Sequence, residues 1–424
     1  MYIKEVAASL YPWDLADEGV DRCIDNVTGL ASANSLYLIG VMHWEKRPLT
    51  GSFYPHNPVR KFYIPENSRI YYRVSDKAFD GMLLKPVKSE RDFLNGTDWL
   101  DTLSGAARKR NLKMGVELSH TIYDTAKAQK ENPQILQKHL DGTPVGGGSY
   151  LCLNNPHVRQ YITTLFAETV RNHDVDFIQT CLLLFESAGA ASINSRYTSG
   201  LERMMHTVNG GCFCQECRHK ALSKGYDWDL ILHDAGRLST LVNAEIGEAR
   251  MDKDLLLASG LSSAGLLLEF PGVYQWMAFR MESIKEILTE IYNAVKAADS
   301  KVEVRLNHCF EYQEFMGLRH GDLKDCVDSV RDSDYSEQTG NPDRLIVKQR
   351  QIAKIRRGVG FDKPVLASIG IRPNATPEII RESIRRAANL GIDGLSLGHY
   401  DGASIANLKA VTQGMQEAEM EILP

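Results

Sequence analysis

Cys212-Phe-Cys214-Gln-Glu-Cys217 sets three sulfurs on one short loop, behind Gly210 and Gly211, which permit a tight turn. Thiolates at that spacing suit zinc, and a structural zinc takes four ligands in a tetrahedron. One more ligand is needed; Cys152, Cys181, His206 and His219 are the candidates. Cys23, Cys309 and Cys326 sit on or beside apolar runs and read as ordinary buried residues. Carboxylates offer a second chemistry. Glu186 follows the apolar run Leu182-Leu-Leu-Phe185, and burial there would raise its pKa. Asp334 and Glu337 lie close together further along. An acid with a raised pKa and a second carboxylate across a pocket form the pair that cleaves a glycosidic bond. Glu186 is therefore expected as the proton donor, with Asp334 or Glu337 as its partner.

The elements that must carry these groups alternate along the whole chain. Strands are expected at Ile3 to Leu10, Ser35 to Met42, Lys113 to Ser119, Val175 to Leu184, Val302 to Asn307, Val330 to Tyr335, Pro364 to Gly370 and Gly394 to His399. Amphipathic helical runs follow each strand, Pro156 to Asn172 and Pro271 to Ala298 among them. Eight parallel strands joined by right-handed helical crossovers close into a (β/α)8 TIM barrel. A doubly wound open sheet is the alternative, but no Gly-rich nucleotide loop follows the first strand. The reading is one barrel over residues 1–424, with long insertions at 43–95 after strand two and at 187–271 after strand four, the second carrying the cysteine run.

In such a barrel the chemistry sits at the C-terminal ends of the strands. Strand two delivers His43 and Trp44 there, and strand three Glu117 and His120. Strand five brings Arg305, Asn307 and His308. Strand seven ends near Arg372, and strand eight brings His399, Tyr400 and Asp401. Carboxylates, imidazoles, Arg, Asn and aromatics together suit a polyhydroxylated ligand, so these residues are expected to bind a small carbohydrate. His120, His308 and His399 show none of the spacing of a catalytic metal motif and read as substrate-binding imidazoles.

The chain has 424 residues, of which 43% are hydrophobic and 24% charged, enough for a large core. Its net charge of −5 gives no electrostatic reason to expect nucleic acid or an anionic membrane surface. No basic stretch followed by an apolar run opens the sequence, so a cytoplasmic protein is expected, with its eight cysteines as thiols or metal ligands. No organic cofactor is expected, and a homo-oligomer is compatible with everything above.

The stretch Cys152-Leu-Asn-Asn-Pro156-His-Val-Arg159-Gln-Tyr161 resembles a Cys-x-x-Ser-Pro-x-Tyr-Arg segment of the zinc-containing, barrel-type β-galactosidases. The order of features is also similar: a single Cys, a Glu after strand four, then the three-Cys run. Similar stretches occur in barrel proteins classed as hypothetical glycoside hydrolases, which this chain resembles more. The resemblance spans residues 97–220 at motif level. It implies that Cys152 completes a zinc site with Cys212, Cys214 and Cys217, and that Glu186 is the acid/base. Two departures stand out. Phe185 precedes Glu186 where that family has Asn, and strand seven continues into Ile371-Arg372-Pro373-Asn374 without the family's nucleophilic Glu. The second carboxylate is therefore expected from strand six, as Asp334 or Glu337. Otherwise the barrel performs other sugar chemistry, as a lyase, isomerase or epimerase, or binds sugar without turnover.

Overall fold

The computed structural model describes residues 3–41, 56–60, 69–119, 125–145, 150–181, 183, 185, 210–260, 262–308 and 313–422. Eight parallel strands pair in chain order: β1 Glu5–Leu10, β2 Ser35–Val41, β3 Lys113–Ser119, β4 Phe177–Cys181, β5 Glu303–His308, β6 Ser329–Asp332, β7 Val365–Gly370 and β8 Gly394–Gly398. β8 returns to β1, which also pairs with β2, so the sheet closes. This is the (β/α)8 barrel. Two short strands, Arg69–Ile70 and Val87–Lys88, extend it beside Val41. Among the described residues no helix is long and apolar enough to cross a membrane.

The helices start where local chemistry demands. Asn155 caps Pro156–Asn172 by accepting from the N–H groups of His157 and Val158, with Pro156 in the first turn. The helix Pro271–Ala298 also opens on a proline and buries Trp276, Arg280 and Ile284 along one face. Strand residues facing these helices are apolar, as with Leu36 and Leu38, both fully buried. Among the described residues, the segment between β4 and that long helix holds four further helices, Gln215–Ser223, Trp228–Asn243, Gly247–Ala258 and Ser263–Glu269.

The other face of each strand looks into the barrel, and many of the residues there are polar. At the N-terminal end, Lys113 bonds Glu5 and Glu303 at 2.9 and 2.7 Å. Arg305 bonds the same two carboxylates at 3.0 and 2.8 Å. Its guanidinium lies 4.0 Å over the ring of Phe177. Phe177 fits only because its neighbour across the strands is Gly115, where a Cβ would stand 2.3 Å from the ring. The result is a sealed floor. Arg305 was expected at the mouth as a substrate-binding group and is instead part of this floor. It points toward the strand starts because the two acids that neutralise it are there.

Burial alone would raise the pKa of Glu303, but the charges of Arg305 and Lys113 outweigh it and hold the carboxyl at about 2. An unfolded Glu titrates near about 4.3. The depressed value stabilises the fold above the unfolded pKa, and that contribution is lost as pH falls through the folded one. Urea unfolding of the wild type and Glu303→Gln should therefore differ by a constant amount from neutrality down to about pH 5, and the gap should close toward about pH 2. A gap independent of pH would show that the floor carries no such charge linkage.

Candidate functional site

Above the floor, the interior side chains form one hydrogen-bonded layer. Arg331 on β6 is almost wholly buried and reaches three ways. It donates to Ser396 Oγ at 2.7 Å, to Asn307 Oδ1 at 2.8 Å, and to the hydroxyl of Tyr335. Asn307 donates in turn to Glu117 Oε2 at 3.3 Å, which also accepts from Gln179. Arg331 stands 3.8 Å from the same oxygen. Tyr37 completes the layer through its hydroxyl, 3.2 Å from Ser396. Burial raises the pKa of Glu117, against the opposing pull of Arg331 and the Gln179 bond. Among the described residues, two polar atoms next to Glu117 have no hydrogen-bond partner: Gln179 Oε1 and Ser119 Oγ, both on buried residues.

The rim of the mouth is aromatic. Tyr11, just past β1, stacks on Trp13 at 4.4 Å and lies 5.3 Å from the ring of His399. Tyr335 is 5.7 Å from His399 on another side. It lies against Gly398, where a Cβ would stand 2.3 Å from its ring. Ser9 Oγ donates to the Leu397 carbonyl at 2.9 Å and lies 2.7 Å from His399 Nδ1. The hydroxyl has one proton to give and spends it on the carbonyl, so Nδ1 carries a hydrogen and donates to Ser9. Arg372 holds the buried Asp401 by one nitrogen at 3.1 and 3.2 Å. Burial raises the Tyr11 hydroxyl well above its usual pKa, against the lowering charge of Arg372.

The structure thus brings Glu117, Asn307, Arg372, His399 and Asp401 together at the C-terminal end of the barrel. His43, Trp44, His120 and Glu186, and the side chain of His308, lie outside the described residues. Three expectations need correction besides Arg305. Glu337, expected as a catalytic carboxylate, is buried behind β7. One oxygen meets Lys348 and Ser383, and the other accepts from the Gly370 N–H at 3.0 Å. Its oxygens are occupied because an outward turn after β6 drives it onto the helix Leu345–Val359. Asp334, the other expected partner, caps the turn it begins: its Oδ1 accepts from the Ser336 N–H at 2.9 Å and from that residue's hydroxyl. Tyr400 points away from the mouth, with its hydroxyl 2.7 Å from Asn26 Nδ2 and 3.0 Å from Glu18 Oε2.

Arg331, Gln179, Tyr11 and Ser9 were not singled out in the sequence, whereas Tyr335 was read there at the end of strand six. Arg331 carried a signal, since it falls in a strand at the same alternation as the interior positions. Tyr11 and Ser9 carried none, because their importance comes from what β8 places beside them.

Cys152, Cys212, Cys214 and Cys217 converge, all buried, with their sulfurs within 4.8 Å of one another. Cys152 Sγ is 3.4 Å from Cys214 and 3.6 Å from Cys217. The Lys138 N–H points at Cys212 Sγ from 3.4 Å, and Asn154 Nδ2 at Cys217 Sγ from 3.3 Å. Hydrogen bonds from the other three cysteines hold the Cys214 thiol far below its usual pKa, while Cys152, through its bonds to Cys212 and Cys214, and Cys217, through burial, are held well above theirs. Without a cation the cluster therefore favours one thiolate among protonated neighbours.

No family model matches the chain, and no curated protein matches it. Solved structures do. The glycoside hydrolase domain of PgaB (BpsB) from Bordetella bronchiseptica superposes with a TM-score of 0.57 at 11% identity, covering 98% of this chain and 97% of that one. A β-galactosidase from the haloarchaeon Halorubrum lacusprofundi gives 0.57 at 14% identity, over 98% of this chain and 58% of its own. The catalytic domain of β-amylase from Paenibacillus polymyxa gives 0.55 at 10% identity, over 98% and 99%. Its structural neighbours are glycoside hydrolases. The chain spans little more than half of the galactosidase, and identities this low establish a shared fold.

The burial of Glu337 yields a test of its structural role. Removing one member of a buried ion pair costs about 3–5 kcal/mol because the other is stranded. Lys348→Met should lower unfolding free energy by that order in urea titrations. A loss below about 1 kcal/mol, the scale of an exposed pair, would show that the pair is not buried.

Proposed function

We propose that the chain is a glycoside hydrolase-like, carbohydrate-active enzyme that takes a glycoside or small oligosaccharide into the C-terminal mouth of the barrel. The observation that carries this reading is the polar layer around Glu117. It sits beneath an aromatic rim and holds two buried polar atoms still in want of partners. Sugar hydroxyls would supply them, and a sugar ring would lie against Tyr11, Tyr335 or His399. The glycosidase neighbours support it at the level of fold.

In this reading Glu117 and Asn307 hold ring hydroxyls, and Arg331 keeps both in place. Glu186, which follows β4 in the sequence, protonates the leaving oxygen. One observation favours a second reading. Asp334 and Glu337 are both committed elsewhere, whereas the His399 imidazole stands at the rim between Tyr11 and Tyr335. Proton transfer between His399 and a sugar carbon would make the barrel an isomerase or epimerase. Product analysis over a panel of p-nitrophenyl glycosides, oligosaccharides and free sugars separates the two. Glu186→Gln should reduce hydrolytic turnover by roughly a hundredfold or more with a smaller change in binding. Near-full hydrolysis by that variant would remove Glu186 from the mechanism.

The cysteine cluster fits a structural zinc. A tetrahedron of ~2.3 Å Zn–S bonds has sulfurs about 3.8 Å apart, close to the separations seen, and four sulfurs leave no open position for substrate. Zinc would let all four thiols ionise in a buried place. Metal analysis of the purified protein should find about one zinc per chain, and Cys217→Ser should lower the melting temperature. Metal-free protein with unchanged melting would overturn this assignment.

A further inference from the structure

Arg280 lies in the middle of the long helix Pro271–Ala298 and is completely buried. A guanidinium in such a place must find acceptors for its protons. One Nη donates to the Phe315 carbonyl at 2.6 Å, in the turn that follows β5. The other donates to the carbonyl of Gly211, the residue before Cys212. The flat face of the guanidinium lies 3.5 Å over Trp276, one helical turn earlier. Phe213, inside the cysteine run, stacks on that same indole at 4.6 Å. Phe185, in the segment after β4, lies 5.7 Å from the guanidinium carbon, and its N–H donates to the carbonyl of Met316 at 3.1 Å. Gly317 packs so tightly on the helix that a Cβ there would stand 2.9 Å from the Arg280 carbonyl.

We infer that Arg280 is a positioning residue that couples the cysteine cluster to Phe185, just past β4. It grips the loop before Cys212 with one nitrogen and the turn after β5 with the other. That turn holds the backbone of Phe185, and Glu186 is the next residue in the chain. The catalytic consequence rests on the hydrolase reading above; the mechanical coupling does not. Coupling of this kind is reciprocal: filling the cluster would hold Phe185 more firmly, and holding Phe185 would tighten the cluster's grip on its metal.

The test uses full-length protein with Zn(II) as the probe. Arg280→Met removes the strut, Arg280→Lys keeps the charge and one arm, and Arg356→Met removes a buried arginine that bonds Gly360, Lys363 and Asp393 instead. Transfer of zinc to a chromogenic chelator should be about 10–100-fold faster in Arg280→Met, the usual effect of losing an outer-shell contact, with partial recovery in Arg280→Lys. Amide hydrogen exchange of the peptide containing Phe185 should rise in both Arg280 variants and in wild type stripped of zinc, and stay unchanged in Arg356→Met. Where a panel glycoside is hydrolysed, Arg280→Lys should lower kcat and leave KM in place. Should Arg280→Met fail to fold, Arg280→Lys and the stripped wild type carry the test. Unchanged exchange at Phe185 on stripping and in Arg280→Lys would overturn the coupling, as would an equal effect of Arg356→Met. A chain that hydrolyses nothing but passes the exchange test would refute the hydrolase reading alone.

Discussion

Arg331 places a permanent positive charge inside a closed sheet, and most of the site follows from satisfying it. A buried guanidinium is tolerated only when its protons find acceptors and a counter-charge is near. Here the acceptors come from different strands: Ser396 from β8, Asn307 from β5, and Tyr335 from beyond β6. Glu117 on β3 is the counter-charge. One side chain therefore ties together strands on several sides of the barrel and fixes the rotamers of the groups around the mouth. Polar networks of this kind are rigid when complete and costly when one member is missing.

The charges divide by level. Lys113, Arg305, Glu5 and Glu303 neutralise one another's charge at the strand starts. Glu337 and Lys348 do the same outside the sheet, where they clamp Gly370 and the Ser368 carbonyl and so hold the end of β7. In the middle layer Gln179 and Ser119 each keep an unfilled polar atom, as Arg305 does with one Nη at the floor. Buried polar atoms without a partner are uncommon in native interiors, so each calls for an account.

The eight strands and the two longest helices were legible in the sequence, because each is an apolar run bounded by proline, glycine or a capping residue. Cys152 was legible as one of several fourth ligands and became the implied one through the likeness of its flanking residues. Side-chain direction was the harder matter. Arg305 and Arg331 both lie on strands at interior positions, and only the partners at each level send one to the floor and the other to the mouth. Glu337 read as an available acid because Lys348, its counter-ion, is eleven residues away on another element. A lysine on the buried stripe of Leu345–Val359 was the trace of that pairing. Asp334 read as catalytic for the same reason that it caps a turn: short acids favour strand ends in both roles.

Phe177, wedged over Gly115 and covered by Arg305, shuts the barrel interior from the side of the strand starts. On the proposed reading, a sugar that enters from the opposite end has to leave by the way it came, so the outer portion must clear before the deeper one.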